Sequence, residues 1–312
     1  MRAFIFPGQG SQAVGMGKAL AEASTIAREV FQEVDDALGQ SLFKLMCEGP
    51  DDQLLLTENA QPAIMANAIA TLRVMEREGN VTLAEKAHFV AGHSLGEYSA
   101  LCAAGALDLV TTARLLKLRG QAMQAAAPVG IGAMAALLGA DIEKAEGLAE
   151  AAAEGETCTV ANDNDPSQVV ISGHKGAVER AIELVKDHGI KRGILLPVSA
   201  PFHCPLMQPA ADRMAEALGQ TAINAPFVPV FANVIAAPVS DANEIRRLLV
   251  EQVTGRVRWR ESAIAMAVAG VTHFYEFGGK VLSPMVKRSA GDEVTTASLI
   301  SMDDIEAALK EL

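Results

Sequence analysis

The chain opens on a short apolar run, residues 2–6, that has the length and composition of a buried strand and breaks at Pro7 and Gly8. From Ser24 to about Leu38 apolar residues recur three and four apart, which predicts a helix with Ser24 as its N-cap. Proline favours a first helical position, so a further helix is expected to start at Pro62 and run to Glu78. Residues 87–91 read as a second strand. Residues 96–106 and 111–126 then read as helices, and this alternation predicts a layered α/β unit.

The pattern changes at Gly132. Strand, helix, strand, strand, helix and strand are predicted over residues 133–138, 142–154, 157–161, 168–172, 176–188 and 192–198. That βαββαβ order is the ferredoxin-like motif. It predicts a subdomain of residues 128–198 set into a core formed by residues 1–127 and 199–312. Beyond it, Pro197, Pro201, Pro205 and Pro209 punctuate a loop before the α/β pattern resumes.

Within the helix predicted over residues 111–126, Arg114, Lys117, Gln121 and Gln124 share one polar stripe. Arg119 is not on it. Its neighbours three and four residues away are Leu115, Leu116, Ala122 and Met123, so a guanidinium is aimed along the apolar face.

The segment Val90 to Tyr98, VAGHSLGEY, places Gly92-x-Ser94-x-Gly96 between a strand and a helix, the context of a nucleophile elbow. Such a match arises by chance in roughly one chain in ten of this size, so the context carries the argument. A plain strand-to-helix turn with an N-capping serine is the structural alternative. A serine nucleophile needs a base. His93 adjoins Ser94 and should face the other side of the turn; His88, His174, His188 and His273 lie at element ends, where structural roles suffice. His203, on the proline-pinned loop, is the candidate base, and its neighbour Cys204 shows no sign of activation. The turn Gly8-x-Gly10-x-x-Ala13 matches a dinucleotide fingerprint, but Glu29 and Glu33 lie in a helical pattern where a ribose-binding acid should end a strand. Its backbone N–H groups could instead form half of an oxyanion hole.

Composition narrows the field. The 312 residues are 50% hydrophobic, enough for a sizeable core, and a net charge of −12 argues against a nucleic-acid partner. The arginines between Arg246 and Arg260 offer one local basic patch or a solvated charged face. Four cysteines without Cys-x-x-Cys spacing suggest neither a disulfide framework nor a metal site, and no run reaches membrane-span length. A cytoplasmic location without membrane association is expected.

Taken together, FPGQGSQ, GHSLGEYSAL, LRGQAMQ, GAMAALLG, NDNDPSQVVISG, PVSAPFHCPLM and VEQVTGRVRW resemble, in order and over essentially the whole chain, the malonyl-CoA:acyl carrier protein transacylases of bacterial fatty-acid synthesis. The resemblance implies an α/β-hydrolase-like core with a parallel sheet and a ferredoxin-like insert. It implies Ser94 as nucleophile, His203 as base, the Gln9 and Leu95 amides as oxyanion hole, and the Gln252 carbonyl as the group orienting the histidine. Arg119 would grip the malonyl carboxylate, with Gln9, Phe202 and Met123 beside the substrate. Malonyl-CoA and acyl carrier protein would be the partners of a monomeric enzyme needing no cofactor. Docking of an acidic carrier would fall on Lys191, Arg192 and Arg258. A serine hydrolase and a nucleotide-binding module are the alternatives. The chain departs from the family pattern at Gly279 and Pro284.

Overall fold

The computed structural model describes every residue except Ser199, the expected first residue of the returning core, which lies outside the described residues. Among the described residues, ten strands run in chain order as β1 (Arg2–Phe6), β2 (Phe89–Gly92), β3 (Gly132–Leu138), β4 (Cys158–Asp165), β5 (Gln168–His174), β6 (Arg192–Leu195), β7 (Val230–Ala232), β8 (Ala237–Val239), β9 (His273–Phe277) and β10 (Thr295–Leu299). They form two sheets. The larger has the order β10-β9-β1-β2-β7-β8, parallel throughout except for the last pair. Its central strands, β1 beyond Arg2, β2 and β7, read as unbroken apolar runs because both faces are covered, with Phe4 and Phe6 in one core cluster and Ala3 and Ile5 in another, and Phe6 stacks on Phe277 with ring centroids 5.6 Å apart.

The register of this sheet positions the chemistry. Phe6 pairs with Gly92 and Ala91 with Phe231, so the carboxyl ends of β1, β2 and β7 emerge side by side. The residues that follow them, Gln9, Ser94 and Asn233, therefore converge at one edge, where open α/β sheets bind ligands.

The smaller sheet is antiparallel, in the order β4-β5-β3-β6. In β3 the sequence GAMAALL is apolar at every position because both faces are covered. Ala133, Ala135 and Leu137 pack with the helices Ile142–Ala153 and Lys175–Leu184, whereas Met134 and Ala136 pack against the main core. Two buried carboxylates of β4 tie the smaller sheet to helices of the core: Asp163 pairs at 2.8 Å with Arg260 of the helix Trp259–Val268, and Asp165 at 2.7 Å with Arg288 of the helix Leu282–Ala290.

Several local expectations are corrected. The helix expected to begin at Pro62 spans Thr57–Gly79, with the proline inside it. Ser24 precedes the helix Thr25–Leu38, but its hydroxyl makes no capping bond and lies buried without a partner among the described residues. Strand β4 runs on to Asp165, well past residue 161, while β6 ends three residues before Val198. The arginine-rich stretch is not a free basic patch: Arg247 pairs with Glu244 and Glu251, Arg256 with Glu146, Arg258 with Glu261, and Arg260 with Asp163. The unusual Pro284 is accommodated because the buried Glu276 carboxylate already accepts the N–H groups of Val281, Leu282 and Ser283 at the start of the helix Leu282–Ala290. A residue without an N–H costs little in that first turn.

Candidate active site

The turn after β2 is as tight as its glycines suggest. A Cβ on Gly92 would lie 1.9 Å from the Gly96 carbonyl carbon, and one on Gly96 would lie 2.2 Å from the Phe6 oxygen. Ser94 between them has φ 54°, a left-handed conformation that a non-glycine residue adopts at a cost. It stands at the N-cap of the helix Leu95–Ala103, so the Leu95 N–H occupies a first helical position that lacks an intrahelical acceptor. Gly8 packs in the same way: a Cβ there would lie 2.6 Å from the His93 carbonyl oxygen. The N-terminal glycine turn therefore serves the approach of two strand ends, and no helix opens on it as a dinucleotide site would require.

His203, also at positive φ (57°), faces the serine: its Nε2 is 2.7 Å from Ser94 Oγ. Its Nδ1 lies 2.8 Å from the Gln252 carbonyl and 3.2 Å from that of Gly255. Both carbonyls accept only, so Nδ1 carries the proton and Nε2 is left free to accept from the serine hydroxyl. Arg119 is 1% exposed on the helix Leu109–Ala126. Its guanidinium donates to Ser94 Oγ at 3.2 Å, to Gln61 Oε1 at 2.8 Å and to Gln252 Oε1 at 2.9 Å, while among the described residues its Nε has no partner. These acceptors are all neutral.

Ser94, His203 and Arg119 lie at the deep end of a cavity of about 510 Å³ that Gln9, Leu95, Met123 and Phe202 also line. Val14 and Leu55, both more than two-fifths exposed, mark its mouth. Gln252 is fully buried behind the lining and reaches the site through its carbonyl and amide. The structure thus brings all eight of the residues singled out in the sequence to one place. His93 differs from expectation, since it lines the same cavity as Ser94 with its Nε2 2.8 Å from Asn164 Oδ1.

A family profile described as the acyl transferase domain matches residues 3–273. The malonyl CoA-acyl carrier protein transacylase of Escherichia coli K12 is 45% identical over 309 residues, covering 99% of this chain and 98% of that protein. The chain belongs to this transacylase family. Among solved structures, the acyl-carrier-protein S-malonyltransferase of Bartonella henselae is 52% identical with TM-score 0.96, covering 99% and 98% of the two chains. A malonyl transacylase in complex with a type II PKS acyl carrier protein is 39% identical with TM-score 0.95, covering 100% of this chain and 99% of that one.

Three further residues complete the site in this transacylase-family chain, and none was singled out in the sequence. Gln61 reaches Arg119 from the first turns of the long helix. Asn233, just past β7, accepts the Ser94 N–H at 2.7 Å and donates to the Gly92 carbonyl at 2.7 Å. Glu97 is 3% exposed, and its Oε2 accepts the Gln252 amide at 2.8 Å and the Asn233 N–H at 3.0 Å. A signal for Glu97 existed, since Ser94-x-x-Glu97 has capping-box spacing; Asn233 takes the serine N–H that this glutamate would otherwise accept.

Burial dominates the electrostatics. It holds the His203 imidazole down to about 3, helped by the nearby Arg119 charge and opposed by the Gln252 carbonyl, so the ring is neutral at pH 7. Burial likewise pushes Glu97 up to about 7, against the hydrogen bonds from Asn233 and Gln252 and the attraction of Arg119. The Cys204 thiol is raised by burial, which matches its reading as unactivated.

Proposed function

We propose that the chain transfers the malonyl group of malonyl-CoA to the phosphopantetheine thiol of acyl carrier protein through an ester on Ser94. Neutral His203 accepts the Ser94 proton through Nε2 while Gln252 and Gly255 hold Nδ1–H, and the serine oxygen attacks the thioester carbonyl. The N–H groups of Gln9 and Leu95 stabilise the resulting oxyanion. His203 returns the proton to the departing coenzyme A sulfur, and the carrier thiol then repeats these steps in reverse. Arg119 receives the free carboxylate, Phe202 and Met123 shape the space beside it, and side chains alone supply the chemistry without a cofactor.

The observation that carries this reading is the buried Arg119 guanidinium on the reacting serine, surrounded by neutral acceptors and facing the cavity. A serine hydrolase has no use for such a cation. In the finer description, residues 1–127 and 199–312 form an α/β-hydrolase-like core and residues 128–198 a ferredoxin-like subdomain, a reading supported by the order β4-β5-β3-β6. The protein acts as a cytoplasmic monomer, and exposed Lys191 and Arg192 meet the carrier; Arg258 is engaged by Glu261. Among the described residues no helix is long and apolar enough to cross a membrane.

Intact-mass measurement after mixing with malonyl-CoA, followed by addition of holo-carrier protein, tests the reading. A malonyl adduct that then moves to the carrier is expected. Rapid release of free malonate without an adduct would instead favour a hydrolase.

A further inference from the structure

Asp163, Asp165, Glu276 and Glu97 are buried carboxyl groups in this chain. The first two face arginines, and Glu276 caps a helix with three N–H bonds. Glu97 is placed differently. Its Oε2 meets two neutral donors, and the nearest cation, Arg119, stands on the far side of a single amide: Gln252 donates through Nε2 to Glu97 and accepts through Oε1 from Arg119. Gln252 therefore separates a buried anion from a buried cation and leaves the guanidinium free to face the cavity.

With the pocket empty, the two charges balance across the amide. A malonyl carboxylate arriving at Arg119 adds a second anion to one buried cation, and at low dielectric like charges this close cannot both stay ionised cheaply. We propose that Glu97 is the charge-balancing residue of the malonyl site, taking one proton from solvent as the substrate carboxylate engages Arg119 and returning it when the malonyl group leaves. This rests on Arg119 being the carboxylate receptor. The proton goes to Glu97 Oε1, the oxygen that Asn233 and Gln252 do not use, and no other bond changes.

The surroundings fit. Of the elements packed on the helix that carries Glu97, β2 and β7 have no titratable side chain, and Arg2 of β1 lies at that strand's opposite end. The long helix Thr57–Gly79 commits Glu58 to Lys117, Arg73 to Glu33 and Glu76 to the Leu83 N–H, and its Arg77 and Glu78 are exposed. The helix Leu109–Ala126 brings Arg119. Tyr98, next to Glu97, is raised by burial and stays protonated, and His203 beyond Gln252 stays neutral. Glu97 itself, raised to about 7, is ionised in the empty pocket at pH 8 and within reach of protonation once Arg119 is neutralised.

Calorimetric titration of the Ser94→Ala protein with malonyl-CoA at about pH 8, in two buffers of different ionisation enthalpy, counts the protons. Uptake of a large fraction of a proton is expected with malonyl-CoA and none with acetyl-CoA, which carries the same coenzyme A phosphates. Adding Glu97→Gln should abolish the uptake while malonyl-CoA still binds. Without that second substitution, the malonyl-CoA Kd should rise between about pH 7 and 9, by up to tenfold per unit, while acetyl-CoA stays flat. Buffer-independent heats, a flat Kd profile, or uptake that survives Glu97→Gln would each overturn the proposal while leaving carboxylate recognition intact. If Arg119→Ala in the same background did not weaken malonyl-CoA binding, the receptor reading itself would fail, and this proposal with it.

Discussion

Replacing Arg119 with alanine separates recognition from structure. In the enzyme with substrate bound, the change strands a buried carboxylate. Each charged hydrogen bond lost costs about 1.5–3 kcal/mol, so the loss of a bidentate pair predicts a fall in malonyl transfer of roughly 10²–10⁴-fold. In the free protein the account is mixed. Gln61 Oε1 and Gln252 Oε1 lose a donor, at about 1–3 kcal/mol each when buried, but a desolvated guanidinium whose Nε makes no bond among the described residues is also removed. Ser94 Oγ keeps its 2.7 Å contact with His203. Acetyl transfer should therefore hold steady or rise, and Arg119→Lys should fall between, since an ammonium keeps the charge but cannot present a planar fork. The assay is both transfer rates alongside thermal unfolding of each variant. Should malonyl and acetyl rates drop together, in proportion to lost stability, Arg119 is a structural residue and the reasoning is refuted.

Ser94→Ala should eliminate the covalent adduct while malonyl-CoA still binds; an adduct on the variant would reveal a different nucleophile. His203→Ala should slow acylation by the ~10²–10⁴-fold typical of a general base, and a near-normal rate would move that role elsewhere. Because His203 is already neutral far below its usual range, single-turnover acylation at saturating malonyl-CoA should stay level from pH 8 down to about 5, whereas a midpoint near 6.5 would contradict the burial argument. Phe202→Ser removes bulk beside the cavity and should raise the methylmalonyl-to-malonyl ratio; an unchanged ratio would place Phe202 away from the C2 substituent. Glu97 has a folded pKa of about 7 against 4.5 unfolded, so the stability it contributes is complete below 4.5 and lost as pH rises through 7. Denaturant unfolding should accordingly show Glu97→Gln gaining on the parent between those limits by up to roughly 3 kcal/mol, and a pH-independent difference would count against a raised carboxyl.

Local chemistry was legible in the sequence because it is set within a few residues. The elbow needs glycines at 92 and 96 whatever the rest of the fold does, and helical spacing alone puts Arg119 among leucines. The two α/β patterns, one interrupting the other, follow from periodicity in the same way. The meeting of Ser94 with His203, 109 residues on, and of Arg119 with Gln252, 133 residues on, follows from no local rule. Parallel register decides where β1, β2 and β7 end together, and that alone delivers Asn233 to the serine. Gln61 was hidden by a boundary: proline's preference for a first helical turn set the helix start at residue 62, whereas packing carried the helix back to Thr57 and turned Gln61 toward the guanidinium. Glu97 was hidden by an ambiguity, because a capping box and a buried charge pair share one spacing. Only the arrival of the Asn233 amide at the serine N–H freed this carboxylate to face Gln252, a choice made by residues far apart in the chain and close together in the fold.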